Sequence, residues 1–195
     1  ALFDVWFADR QRGIAVGAYG AYLTTADGGT TWVSRKFAAL PVSSVVSSEP
    51  SDDEFAPDYH LNRIVAAGDK LYIAAEAGQL YRSDDGGMNW QTLPSPYEGS
   101  FYGVLPLEDG ALLAFGLRGN LWRSNDAGAS WIAILTDTTA MLTDGLRLTD
   151  GAVVIAGLSG VLLVSPDGGA SWQLQQQPNR KAIAAMVPGG PAMVI

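Results

Sequence analysis

One eight-residue phrase, Ser/Thr-x-Asp-x-Gly-x-x-Trp, occurs four times in this 195-residue chain and constrains its fold more than any other feature. It reads Thr25-Ala-Asp27-Gly-Gly29-Thr-Thr-Trp32, Ser83-Asp-Asp85-Gly-Gly87-Met-Asn-Trp90, Ser124-Asn-Asp126-Ala-Gly128-Ala-Ser-Trp131 and Ser165-Pro-Asp167-Gly-Gly169-Ala-Ser-Trp172. Asp85, Asp126 and Asp167 follow one another at intervals of 41 residues, and Asp27 precedes Asp85 by 58, the same unit lengthened by 17. A fixed period of this size marks a repeat architecture.

Seven residues before each aspartate stands a glycine (Gly20, Gly78, Gly119, Gly160), and three copies read Gly-x-x-Gly from Gly17, Gly116 and Gly157. Short β-rich runs flank these glycines, such as Leu71-Tyr-Ile-Ala74 before and Gln79-Leu-Tyr-Arg82 after. A third run lies upstream of an Asp- or Gly-bearing turn, and each tryptophan opens a fourth. Four short strands per unit, with no helical period, predict an all-β propeller of four-stranded antiparallel blades. The expected spans are blade 1 over 1–43, an insertion over 44–60, blade 2 over 61–95, blade 3 over 100–136, blade 4 over 140–176 and a partial blade over 180–195. The last contributes strands at 181–186 and 191–195. Two closures stay open: a piece of a larger, seven-bladed ring, or a five-bladed ring lacking two strands. Open blade edges would invite pairing with another copy.

An aspartate in a tight turn accepts N–H bonds from the residues after it, and a leading Ser or Thr adds a second local bond. The glycines supply backbone angles that side chains disfavour. The tryptophan drops into the blade or the gap between blades, where burying about 200 Å² is worth roughly 5 kcal/mol as an upper bound. Asp27, Trp32, Asp85, Trp90, Asp126, Trp131, Asp167 and Trp172 are thus read as folding devices.

A formal net charge of −8 with scattered Lys and Arg argues against a nucleic-acid partner and against an anionic membrane surface. The chain has no cysteine and one histidine, which leaves no ordinary zinc site and no expected metal. No apolar run reaches the roughly 20 residues of a membrane helix. The chain opens on Ala1 and stops in strand-like sequence; both ends look cut, and targeting information would lie outside it.

The phrase and its phase are those of the Asp-box, or bacterial-neuraminidase-type, repeat. Within that group, the string Val5-Trp-Phe-Ala-Asp-Arg-Gln-Arg-Gly13-Ile-Ala-Val-Gly17-Ala-Tyr-Gly20, running into Trp32, resembles the photosystem II stability/assembly factor-like family. The resemblance implies a seven-bladed propeller acting outside the cytoplasm, periplasmic or secreted. It further implies an assembly chaperone that binds a protein partner, a membrane-protein complex among the candidates, with no cofactor. The Ala and Leu richness and the long insertion differ from plant and cyanobacterial members and point to a non-photosynthetic bacterial one.

In such a propeller the Asp-box hairpins lie on one face, and the second-to-third-strand loops and blade connections on the other. The partner-binding candidates are therefore Tyr19, Tyr59, His60, Arg63, Glu76, Tyr102 and Arg118, with Tyr97 and Phe101 at a neighbouring entrance. The acidic insertion offers Asp52, Asp53, Glu54 and Asp58 as a further lip, without the spacing of a calcium loop. The rival reading is a glycan-binding or sialidase-like module, which needs three arginines to clamp a carboxylate and a Tyr/Glu nucleophile pair. Arg63 and Arg118 are the available clamp members and Tyr19 with Glu76 the pair; blades 3 and 4 are expected to supply no inner-strand arginine. No catalytic residue is assigned.

Overall fold

A computed structural model of the chain describes residues 1–41, 58–189 and 192–194; the insertion candidates Asp52, Asp53 and Glu54 lie outside the described residues. The expected blades form, each an up-and-down antiparallel meander. Blade 1 comprises β1 (Leu2–Phe7), β2 (Gly13–Gly17), β3 (Tyr22–Thr25) and β4 (Val33–Arg35). After β5 (Ala39–Leu40), blade 2 comprises β6 (Leu61–Ala67), β7 (Lys70–Ala75), β8 (Leu80–Ser83) and β9 (Trp90–Thr92). Blade 3 holds β10 (Phe101–Pro106), β11 (Leu112–Gly116), β12 (Leu121–Ser124) and β13 (Ile132–Ile134). Blade 4 holds β14 (Leu142–Arg147), β15 (Val153–Gly157), β16 (Val161–Ser165) and β17 (Gln173–Gln176), and a two-stranded hairpin, β18 (Val187–Gly189) with β19 (Ala192–Val194), follows. The only helical turns among the described residues are single 3-10 turns at 18–20, 117–119 and 158–160. Over these residues the blades do not close into a ring.

The second strand of each blade is an unbroken apolar run because a blade inside the stack is covered on both faces. Residues 13–17, 112–116 and 153–157 are buried throughout. The cores lie between blades. Ile14, Val16 and Tyr22 pack against Leu61, Ile64, Ile73 and Trp90. Tyr72, Ala74 and Leu80 pack against Phe101, Val104 and Leu112, and Leu113 and Phe115 against Leu142 and Ile155. Leu61, Phe101 and Leu142 are at most 1% exposed, whereas Leu2, their counterpart in blade 1, is 55% exposed because no described blade precedes it. Tryptophan depth varies even where a blade precedes: Trp90 is buried against Tyr22 and Phe37, while Trp131 and Trp172, which pack against the interblade cores, and Trp32 are half-buried. The full burial estimate thus applies to one ring of four.

Every inner strand carries a bulge at the same place, between Leu2 and Asp4, Leu61 and Arg63, Phe101 and Gly103, and Leu142 and Asp144. A bulge re-aims side chains, and here the skipped residue reaches the next blade. Asn62 Nδ2 donates to the Phe101 carbonyl at 2.8 Å, and Thr143 Oγ1 to the Ile183 carbonyl at 2.6 Å. The residue after it does likewise: Ile64 N–H donates to Asp4 Oδ2 at 3.0 Å and Met186 N–H to Asp144 Oδ2 at 2.6 Å.

Three expectations are corrected. Ala39–Leu40, placed with blade 1, pairs in parallel with Trp90 and Gln91 and makes blade 2 five-stranded, because the connection runs down the outside of that blade before the insertion. Residues 181–186 are not a strand: their backbone is held by Thr143, Asp144 and the Gly157 carbonyl instead of by a ladder, and the strand pairing begins only at Val187. Arg147 is the last residue of β14, so blade 4 does have an arginine on its inner strand.

Candidate functional site

The two ends of the blades are built differently. At one end each Ser/Thr-x-Asp turn closes on itself. Asp167 Oδ1 accepts the Ser171 N–H at 2.8 Å, its Oδ2 accepts the Ser171 hydroxyl at 2.6 Å, and Ser165 Oγ accepts the Gly169 N–H at 2.7 Å. The same three bonds recur around Asp27, Asp85 and Asp126. The residue four after each aspartate (Thr31, Asn89, Ser130 or Ser171) is a second polar clasp that the sequence reading passed over, although it is hydroxyl or amide in all four copies. These clasps hold the carboxyls of Asp27, Asp126 and Asp167 down at about 2, with the side chains of Thr31, Ser130 and Ser171 as the largest cause in each. Asp85 is lowered too, chiefly by the Asn89 N–H. Asp9, in the first turn at this end, lies at about 2, chiefly through the Arg12 and Gln11 N–H groups. Each of the four Asp-box carboxylates is engaged in closing its own turn.

At the opposite end, the second-to-third-strand loops hold one residue each in the left-handed conformation: Tyr19 (φ 54), Ala77 (φ 51), Arg118 (φ 58) and Ser159 (φ 59). Each is followed by a left-handed glycine, and at Gly119 a Cβ would strike the Thr138 carbonyl. The residue before each donates its N–H to the entrance of its own blade, at Ala1, His60, Ser100 and Met141 carbonyls. A left-handed non-glycine residue costs about 1 kcal/mol. The arrangement lifts one side chain per blade clear of the surface, and all four are exposed.

The sequence candidates divide into separate groups. Tyr19, His60 and Glu76 come together where blades 1 and 2 meet. His60 Nδ1 lies 3.2 Å from Glu76 Oε1, the His60 N–H donates to Glu76 Oε2 at 2.9 Å, and the Tyr19 and His60 rings are 4.8 Å apart, edge to face. Phe3, not anticipated, adds a third ring 5.8 Å from His60. Tyr59 is half-buried and its carbonyl accepts the Gly20 N–H; burial, and then the charge of the nearby Tyr59 phenolate, push Tyr81 up to about 12. Tyr102 is half-buried at the blade 3 bulge, and Phe101 is fully buried.

The two arginines go different ways. Arg118 lines a hollow with Ser95, Pro96, Tyr97, Glu98 and Gly99. Arg63 reaches the neighbouring inner strands, where Nη2 is 2.7 Å from Asp144 Oδ1 and Nε 3.6 Å from Asp4 Oδ2. The side chain of Asp144 is only 6% exposed, so this pair ties the inner strands of blades 1, 2 and 4. Asp4 and Asp144 were not singled out from sequence. Among the described residues no group of three His, Cys, Asp or Glu side chains is placed to hold a metal ion, and no helix is long and apolar enough to cross a membrane.

Bulged inner strands, interblade cores and a variable loop end on an invariant turn end define a β-propeller protein. Within that class the chain belongs to the photosynthesis system II assembly factor YCF48 family, whose model matches residues 1–156. It is similar to a structure of YCF48 bound to D1 peptide, at 22% identity and a TM-score of 0.68 over 95% of this chain and 56% of that one. It is similar also to YCF48 from Cyanidioschyzon merolae, at 23% identity and a TM-score of 0.69 over 95% and 59%. BamB from Moraxella catarrhalis shares the fold at 15% identity, with a TM-score of 0.66 over 98% and 53%. The chain therefore spans little more than half the length of these structures. A search of curated proteins gave no match.

Proposed function

We propose that the chain is a non-catalytic scaffold that binds a polypeptide partner across its loop end and works as an assembly or stability factor outside the cytoplasm. The observation that carries this reading is the set of four left-handed loop residues: one backbone device, repeated in every blade, presents four unlike side chains, Tyr19, Ala77, Arg118 and Ser159. Strain kept at equivalent positions with divergent chemistry is what a recognition surface on a rigid frame requires. Membership of the YCF48 family and the similarity to a YCF48 structure holding a D1 peptide support a protein ligand. The non-catalytic part rests on occupancy: the turn aspartates are bound within their own turns, and the Arg63 guanidinium is paired with Asp4 and Asp144.

Site-specific photo-crosslinking tests it. Crosslinkers at positions 118 and 159 should capture a D1 peptide or a native membrane-fraction protein, while those at Thr30 and Met88, on the turn end, should not. Capture confined to the turn end, or equal at both, would refute the reading. Fractionation of the source cells checks the compartment, and a cytoplasmic pool alone would remove that part.

A further inference from the structure

The meeting point of blades 1 and 2 differs from the other two blade junctions in its chemistry. At the bulge position the blades carry Phe3, Asn62, Tyr102 and Thr143, and at the left-handed loop position Tyr19, Ala77, Arg118 and Ser159. Only blade 1 supplies an aromatic ring at both. Tyr19 is 76% exposed and Phe3 48% exposed, yet both rings stay within 6 Å of the His60 ring, so a large apolar and π-rich surface is held in place and open to solvent. Two carboxylates border it. Glu76 sits against His60, and Asp58 flanks the Tyr19 loop, where a Cβ placed on Gly20 would lie 3.4 Å from Asp58 Oδ1. The Glu76 side chain is 38% exposed, so its carboxylate borders solvent beside the rings. Rings and carboxylates together attract a cation, and they do so better than either alone.

We infer that this surface of Phe3, Tyr19, His60, Glu76 and Asp58 is a subsite for a lysine or arginine side chain of the bound polypeptide. The inference rests on the loop-end scaffold reading and adds the partner's chemistry at one point. It also assigns the partner a direction, because the far end of the same surface carries Arg118, Arg180 and Lys181, with Arg180 and Lys181 beside Gly160. A basic side chain is favoured at the first blade junction and disfavoured at the last.

The test uses isolated probes. Nα-acetyl-lysine methylamide, Nα-acetyl-arginine methylamide and the uncharged norleucine analogue are titrated into the chain, with the Tyr19, His60 and Glu76 resonances followed by NMR. The two cationic probes should shift these resonances saturably and the norleucine probe should not. Glu76→Gln, which keeps an acceptor for the His60 N–H, and Tyr19→Asn, which tolerates the left-handed conformation, should each weaken binding about five-fold. Thermal melts confirm that both variants fold. Equal shifts from norleucine, or unaltered affinity in both variants, overturn the subsite. Loop-end crosslinking with no lysine response removes the subsite alone. Lysine binding without loop-end crosslinking removes the scaffold reading and leaves the subsite standing.

Discussion

The two ends of these blades share one frame and follow opposite rules. At the turn end, four copies repeat the same side chains and the same bonds: the Thr25, Ser83, Ser124 and Ser165 hydroxyls each take a glycine N–H, and each aspartate takes the residue four ahead. At the loop end the four copies share a backbone and almost no side-chain chemistry. Invariance thus marks where the fold is made, and variation on an equally fixed backbone marks where a partner would be read.

The largest difference to expect is collective and depends on pH. Asp9, Asp27, Asp126 and Asp167 at the turn end are held at about 2 in the folded chain, against roughly 3.9 for an unfolded aspartate. Their folded values are depressed, so their contribution is complete above the unfolded value and is lost as pH falls from about 5 through about 2. Melting temperature should fall steeply over that window, and Asp167→Asn should flatten the slope. An unchanged slope in that variant would show that the turn end is not the acid-sensitive part.

Next in size is the ion pair that ties the inner strands together. Arg63→Ala leaves Asp144 buried with only the Met186 and Gly145 N–H groups, and should cost about 2 kcal/mol in urea unfolding. A loss under about 0.5 kcal/mol would mean that those N–H groups alone satisfy the carboxylate. A direct contrast between ends comes from two serines of one blade. Ser165→Ala strands the buried Gly169 N–H and should cost about 1–2 kcal/mol, while Ser159→Ala should stay within about 0.5. Equal losses would erase the distinction drawn between the ends.

The smallest effects are gains. Ala127 occupies a left-handed site where the other three turns have glycine, and Ala127→Gly should stabilise by about 0.5 kcal/mol once unfolded-state entropy is counted. Arg118→Gly should gain a similar amount at the loop end and lower partner capture. A gain in stability with no loss of capture would show that the strain at Arg118 serves packing alone.

What could be read beforehand was whatever is local and repeated. The turns at Asp27, Asp85, Asp126 and Asp167 close within five residues of chain, so their phrase predicts their geometry, and their phase predicts the blades. What could not be read depends on distant partners. Arg63 and Asp144 are 81 residues apart, and the bulges that aim them leave no turn signature at Leu61 or Leu142. Nor does Trp90 carry a different motif from Trp131; Tyr22 and Phe37, distant in the chain, cover the one ring. The His60 cluster was half legible: Tyr19, His60 and Glu76 were candidates by position, but Phe3 lies 57 residues from His60 and joins through the stacking of blades.

The parallel pairing of Ala39–Leu40 with Trp90–Gln91 has a consequence for solubility. It covers Trp90 and Gln91 on the outer rim of blade 2 and leaves an edge strand of two residues there, a poor template for strand addition. The rims of the other three blades offer only three or four residues each, too short a template for a stranger's backbone. A nick just before Ala39 would uncover that rim, and the damage would register as light scattering rather than as a shifted melt.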